Sequence, residues 1–548
     1  MVADITITEK SFGPKNLYKN IRFSIDNGEK IGIVGRNGVG KSTLFHILAG
    51  TDTDFEGDII YRRGVSVVAT AQEHGEIPDD TTVLQYVLQG LPEYGGLSHI
   101  IETYPDTMGD DMQMITAYTE ALQRFEDKGF YRIEEQIERE LDTFQLSGVA
   151  HRPFRTLSGG QKRLVEVIKV MHSDAHLALV DEPTNHMDYV AKQQFVDWMK
   201  AAREAMLVVT HDRDVLAHVD RIIEIKDGTS QSFKGNYDAY LRQNAVSTGS
   251  QMNEFQLIER RITNLKQKVI DYQRLKEKAR NPATIQKFKR LETTSRAELA
   301  ELQAKEKPTF WIDKESVEGL NYKVANQYEK FKARNIRMNM KSDENRSKHV
   351  LVKASTLSLG YDTPLFDGIS IDLREGESVE LRGRNGAGKT TIIKALLGSR
   401  EPKYFAGELE LDSKTRVGIY EQESSKEYFS LSLEDAIERV YLDRDLSITT
   451  TKVRSLLNDY LFSDGDAKVP VAQLSGGQKA RLQIIAMLAN DPQLLILDEP
   501  TNHLDLPSIE ELENALSAYG GAVLYVSHDS YFQRSLGGEV VQVGSTAI

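Results

Sequence analysis

Short apolar runs recur along this chain, each ending at a glycine-rich loop, an acidic pair or a histidine. Ile31-Gly32-Ile33-Val34 and Val379-Glu380-Leu381 read as strands that feed glycine loops, and from Leu44 and Ile392 the apolar positions take helical spacing. Leu179-Val180 and Ile496-Leu497 read as strands that end in Asp181-Glu182 and Asp498-Glu499, while Leu207-Val208-Val209 and Val523-Leu524-Tyr525-Val526 read as strands followed by His211 and His528. Between these two sets the period changes. Ile258, Ile262, Leu265, Val269 and Tyr272 recur at steps of four and three, a coiled-coil stripe, and Ile285, Phe288, Leu291, Leu299 and Leu302 mark a return helix. Asn281-Pro282 separates them, and because proline drives its predecessor out of helical conformation a hairpin turn is expected there. At 1.5 Å per residue each arm would reach on the order of 35 to 45 Å. The pattern predicts an α/β protein with two phosphate-loop domains joined by a helical-hairpin linker, an antiparallel coiled coil.

The glycine loops carry the first chemistry. Gly35-Arg36-Asn37-Gly38-Val39-Gly40-Lys41-Ser42 and Gly383-Arg384-Asn385-Gly386-Ala387-Gly388-Lys389-Thr390 both match G-x-x-x-x-G-K-[ST], placed between strand and helix. Glycines let backbone N–H groups converge on phosphate oxygens, the helix start adds a favourable dipole, and lysine reaches the terminal phosphates. Thr43 and Thr391 follow in the first helical turns, and the hydroxyls of Ser42 and Thr390 are placed to ligate Mg²⁺. A chance glycine-rich turn is the minority reading of one such match between strand and helix, and is negligible for two with matching partners downstream.

Those partners are Leu157-Ser158-Gly159-Gly160-Gln161 and Leu474-Ser475-Gly476-Gly477-Gln478, the two Asp-Glu pairs and the two histidines, each separated from its copy by 317 positions. Such a register is a duplication. Asp181 and Asp498, at the ends of apolar strands, find a partner in Mg²⁺; Glu182 and Glu499 beside them can orient and deprotonate water. A lone histidine is usually structural, but His211 and His528 follow their strands at a matching distance from the glutamates, which favours catalysis.

LSGGQ beside a phosphate loop and an Asp-Glu pair resembles the ATP-binding cassette superfamily. The resemblance implies two cassettes packed head to tail, with each ATP between one phosphate loop and the other cassette's LSGGQ: Lys41 facing Ser475, and Lys389 facing Ser158. Ser158, Gly159, Gly160 and Gln161, and Ser475, Gly476, Gly477 and Gln478, would then bind the γ-phosphate. By the same resemblance Gln72 and Gln422 are glutamines that touch Mg²⁺ and water, and Phe12 and Tyr361 are aromatics that stack on adenine, core packing being an alternative for Phe12. ATP and Mg²⁺ are the implied cofactors.

Composition narrows the class. The 548 residues contain no cysteine, which excludes disulfides and thiolate-held clusters and argues against the ribosome-recycling ABC ATPase, whose family carries such clusters. No apolar run approaches the roughly 20 residues of a membrane helix, and Met1-Val2-Ala3-Asp4 does not open a signal peptide, so a cytoplasmic protein with no membrane partner is expected. Two cassettes in one chain, with Asn185-His186-Met187-Asp188, Asn502-His503-Leu504-Asp505 and Gly235-Asn236-Tyr237, resemble the ABC-F family, which works on ribosomes. The expected domains are cassette one at 1–245, linker at 246–348 and cassette two at 349–548.

The linker carries the opposite charge to the rest. Gln256 to Lys307 holds 14 Lys and Arg against 7 Asp and Glu, in a chain of net charge −14. Arg274, Lys276, Lys278, Arg280, Lys287, Lys289 and Arg290 gather near the turn, as an RNA phosphate contact requires, although a coiled coil kept soluble by lysine is the commoner origin of such a run. In ABC-F proteins this hairpin reaches peptidyl tRNA and rRNA near the peptidyl-transferase centre; the resemblance implies the ribosome as partner of a monomer that closes its cassettes on ATP and leaves after hydrolysis, as a translation factor or an antibiotic-resistance protein. A transporter ATPase subunit is the alternative. Cassette one is also longer by about 33 residues around Tyr86 to Phe130. Glu102, Asp106, Asp110, Asp111, Glu126 and Asp127 make that insert acidic, which leaves a structural helical insert and the ABC-F arm both open.

Overall fold

The computed structural model describes residues 1–13, 15–70, 77–107, 109–185, 187–304, 335–338, 349–421, 428–463 and 465–544. Gln72, Gln422 and His186, and nearly all of 310–348, lie outside them. The strand Lys30–Val34 is buried along its whole length, as the centre of a parallel sheet requires. It stands between Arg221–Lys226 and Ala205–Val209, followed outward by Leu177–Asp181 and Val67–Ala69, with Thr229–Lys234 at the other edge. The same order returns in the second half: Val417–Tyr420, Leu494–Asp498, Ala522–Val526, Ser378–Arg382 and Glu539–Gln542, every adjacent pair parallel. A smaller antiparallel sheet accompanies each, Ala3–Phe12 with Lys15–Tyr18, Ile21–Ile25 and Glu56–Tyr61, and Val350–Gly360 with Pro364–Arg374 and Lys403–Leu411.

In each half this layering brings the phosphate-loop strand, the Asp-Glu strand and the histidine strand side by side, with their C-terminal ends together. That edge is where open α/β sheets bind ligands. The insert of cassette one is helical, comprising Tyr94–Thr107 and Met112–Asp127, and it buries Leu97, Ala121 and Phe125 in one core with Val83, Val87 and Ile137. Phe125 and Phe130 meet edge to face at 5.3 Å, so the insert's inner face is packing surface while its acidic residues stay at the outside.

Residues Asp238–Asn335 form a unit apart from Met1–Tyr237 with Ile336–Ile548. Its first helix, Tyr237–Lys278, is 42 residues long, about 63 Å at 1.5 Å per residue, and runs unbroken through the expected border at 245/246. No proline interrupts it, and Gly249 alone costs about 1 kcal/mol, too little to end a helix. The return helix Pro282–Gln303 starts where expected, with the Asn281 side chain accepting the Ala283 N–H at 2.9 Å. Tyr272 stacks on Phe288 with centroids 6.4 Å apart, as the stripe predicts. The stripe fails at Leu291, which is exposed; Glu292 takes the inward place because Lys276 and Arg296 meet its carboxylate at 2.6 and 2.8 Å. Asn281→Ala is expected to cost about 1 kcal/mol through removal of the cap, measured as faster amide exchange over 282–303.

Candidate functional site

The strand Leu177–Asp181 stops because the next residue turns left-handed: Glu182 has φ 47°, and its copy Glu499 has φ 52°. Each glutamate N–H donates to the neighbouring strand, to the carbonyl of Val209 at 2.7 Å and of Val526 at 3.0 Å. A non-glycine residue held there stores about 1–3 kcal/mol, which the surrounding bonds sustain. The consequence is that adjacent carboxylates diverge. Asp181 accepts the Ser42 hydroxyl at 3.0 Å and Asp498 the Thr390 hydroxyl at 3.0 Å, while Glu182 lies 3.8 Å from His211 Nε2 and Glu499 lies 3.2 Å from His528 Nε2. Burial, with Asp181 adding to it, pushes the Glu182 carboxyl well above its usual range; burial raises Glu499 to about 7. Burial, with Lys389 adding to it, lowers His528 to about 3, so that imidazole is neutral, and His211 is lowered by burial together with Lys41. A carboxyl whose proton affinity is raised toward neutral pH is suited to taking a proton from water, while the neutral imidazole beside it serves to hold that carboxyl in place.

Lys41 and Lys389 bend back over their loops. Lys41 Nζ donates to the carbonyls of Gly35 and Arg36 at 2.7 and 3.2 Å, and Lys389 Nζ to those of Gly383 and Arg384 at 2.7 and 2.9 Å. Gly40 and Gly388 sit at φ 102° and 104°, where a side chain would strike Tyr18 or Phe366. Hydroxyl and carboxylate oxygens at Ser42–Asp181 and Thr390–Asp498 are the hard donors that suit Mg²⁺.

In the two LSGGQ segments the serine and glutamine close capping boxes. Ser158 and Ser475 accept the Gln161 and Gln478 N–H groups at 3.3 Å, and the glutamine oxygens accept the serine N–H groups at 3.0 and 2.9 Å. Gln478 also donates to Asp466 at 3.0 Å, so these glutamines shape the turn that presents Ser and Gly.

Two aspartates to which motif reading gave no role of their own join the cassettes. Asp188 caps helix Tyr189–Ala201 with one oxygen, and with the other accepts the Asn385 N–H of the opposite phosphate loop at 3.2 Å. Burial opposes its charge, but the N–H groups of Ala191 and Asn385 outweigh it and hold the carboxyl below its usual range. Asp505 does likewise, capping Leu506–Ser517 and accepting Asn37 N–H at 3.2 Å. The Asn-His-x-Asp repeat at equal spacing was the available signal.

Both half-sites open into one cavity of about 1580 Å³. Among the described residues its lining includes Asn37, Gly38, Ser42, Ser158 to Gln161, Glu182, His211, Tyr361, Asn385, Gly386, Gly388 to Thr391, Ser475 to Gln478, Asp498, Glu499 and His528. Gly35, Gly40, Lys41, Thr43, Gly383 and Asp181 are not among its lining residues. Phe12 is outside the lining and 55% exposed, under Lys10 at 5.0 Å, so it is not core. A Cβ at Gly477 would lie 2.3 Å from Asn37 Nδ2, which already donates to the His503 carbonyl at 3.0 Å. Gly477→Ala is expected to break that bond and raise the ATP concentration for half-maximal hydrolysis about tenfold, as an ATP titration would measure.

The family profile described as ABC transporter matches residues 18–185 and 366–502. The Bacillus subtilis putative ATP-binding protein YdiF is 30% identical over all of this chain and 81% of its own length. Ribosome protection protein VmlR of Bacillus subtilis is 27% identical, covering 96% of this chain and 84% of its own. The energy-dependent translational throttle protein EttA of Mycobacterium tuberculosis is 28% identical over 95% and 88%. Among solved structures, RNase-L Inhibitor superposes with a TM-score of 0.57 over 98% of this chain and 87% of that one at 18% identity, a likeness of fold.

Proposed function

Because this chain belongs to the ATP-binding cassette family, as a tandem protein consistent with its ABC-F branch, we propose that it is a ribosome-associated ATPase whose two cassettes close on two ATP molecules and reopen after hydrolysis. One observation carries the two-site reading: each phosphate loop is hydrogen-bonded to the other cassette, Asn37 to Asp505 and Asn385 to Asp188, with both LSGGQ segments on the shared cavity wall. In each site the loop glycines and Lys41 or Lys389 bind the phosphates, and Ser42 with Asp181, or Thr390 with Asp498, holds Mg²⁺. The metal, when bound, neutralises phosphate charge. Glu182 and Glu499 take the proton of the attacking water, and His211 and His528 hold the carboxylates in place. Tyr361 on the cavity wall is the adenine platform of the second loop, and Phe12 is proposed for the first on its exposure alone.

The relatives named for ribosome protection and translational throttling, together with a hairpin whose turn concentrates Arg274, Lys278, Arg280, Lys287, Lys289 and Arg290 at the surface, support the ribosome as partner. Nucleotide state would set affinity by favouring one of two conformations. Among the described residues no helix is long and apolar enough to cross a membrane, and we place the protein in the cytoplasm as a monomer. The test is sedimentation with ribosomes: binding that requires ATP supports this reading, and none in either state rejects it in favour of a transporter subunit. A translation factor and a ribosome-protection protein both fit; drug-protection assays separate them.

A further inference from the structure

The two ATP sites descend from one repeat, yet they differ where the cassettes meet. Helix Tyr189–Ala201 places Lys192 on the cavity wall, near the Glu499–His528 site; 317 positions later, helix Leu506–Ser517 places Ile509 there. Lys192 Nζ donates to the backbone carbonyl of His528, across the cassette boundary. It also lies 3.3 Å from Asp212 Oδ2 and 2.5 Å from Asp214 Oδ2. Asp214 in turn accepts the Ser530 N–H at 3.3 Å and the Ser530 hydroxyl. Beside them Arg213 reaches Glu513 at 2.6 Å and Asp529 at 2.9 Å, all three side chains buried. Three consecutive residues of cassette two, His528, Asp529 and Ser530, are thus each gripped by a charged side chain of cassette one.

A buried lysine is costly unless its charge is paired. Burial works against the charge of Lys192, but Asp212 and Asp214 outweigh it and keep the amine protonated. Ile509 has no donor to offer the corresponding His211 turn. The histidine–glutamate distances differ in the same sense, 3.2 Å at His528–Glu499 against 3.8 Å at His211–Glu182.

We propose that Lys192 is a positioning residue for the second composite ATP site, pinning the His528 turn beside Glu499 when the cassettes are closed, so that the two sites hydrolyse ATP at different rates. This rests on the ATPase reading of the same cavity. Lys192 acts through His528 and touches no reacting atom.

The test compares first-turnover hydrolysis in two single variants of the full chain, Glu182→Gln, which leaves the Glu499 site working, and Glu499→Gln, which leaves the Glu182 site. Lys192→Met is added to each. The expected result is a first-turnover rate on the order of tenfold slower in the Glu182→Gln background, with a much smaller loss in the Glu499→Gln background, an ATP affinity changed less than the rate, and recovery with Lys192→Arg. Ser530→Ala, which removes the hydroxyl bond from the same turn to Asp214 and leaves the backbone one, carries the comparison in smaller measure if Lys192→Met does not fold. Equal losses in both backgrounds, or a loss confined to ATP affinity, overturn the positioning role while leaving the ATPase reading intact. If neither single glutamine variant hydrolyses ATP while wild type does, independent sites are wrong and the proposal falls; if wild type does not, the ATPase reading falls with it.

Discussion

Glu182→Gln combined with Glu499→Gln is expected to retain ATP binding and to lose hydrolysis by about 10²- to 10⁴-fold, the usual contribution of a general base. The amide keeps the size of the carboxyl, and the backbone bonds that hold each turn, from Glu182 N–H to Val209 and from Glu499 N–H to Val526, do not involve the side chain. The phosphate loops are likewise untouched: Lys41 and Lys389 are anchored on Gly35 and Gly383. What disappears is the carboxylate beside each histidine that can take a proton from water. On the proposal that ATP joins the cassettes and its cleavage separates them, the double variant should accumulate closed, which a nucleotide-retention assay would register as slow release of uncleaved ATP. Turnover at the wild-type rate would sink the assignment of both glutamates.

The repeat made most of this site legible. The glycine loops pair by their motif and the positions from LSGGQ to the histidines by their common spacing, and the sheets then carry each pair to the same strand ends. Local conformation was less legible. Nothing in Asp181-Glu182 announces a left-handed glutamate, although that turn is what sends one carboxylate to Ser42 and the next to His211. Asp188 and Asp505 were visible as a repeated aspartate but not as bridges, because the partner N–H belongs to a loop 197 residues away in one case and 468 in the other. Lys192 and Arg213 were invisible for the opposite reason: comparing halves highlights sameness, and these residues matter where the halves differ. In the hairpin, hydrophobic period predicted the arms and their turn, yet gave Leu291 the inward place that Glu292 holds, since periodicity does not count the ion pairs that let a carboxylate turn inward. The glutamines at 72 and 422 lie outside the described residues.

Replacing Arg274, Lys278, Arg280, Lys287, Lys289 and Arg290 with glutamine is expected to lower ribosome affinity on the order of a hundredfold, and to flatten its salt dependence by about one logarithmic unit for each phosphate no longer neutralised. These six are exposed, while Lys276 is engaged by Glu292 at 2.6 Å and belongs with the hairpin's internal packing. Glutamine preserves helix propensity, so the Tyr272–Phe288 stack and the Asn281 cap should persist, which amide exchange over 237–303 would check. The measurement is sedimentation of the Glu182→Gln, Glu499→Gln protein with ribosomes and ATP at increasing salt, with and without the six changes. A coiled coil kept soluble by its lysines predicts no change in pelleting and an unaltered salt slope. An RNA-contacting tip predicts weaker pelleting and a flatter slope together, because in a chain of net charge −14 the remainder repels the phosphate backbone and cannot replace the cations removed.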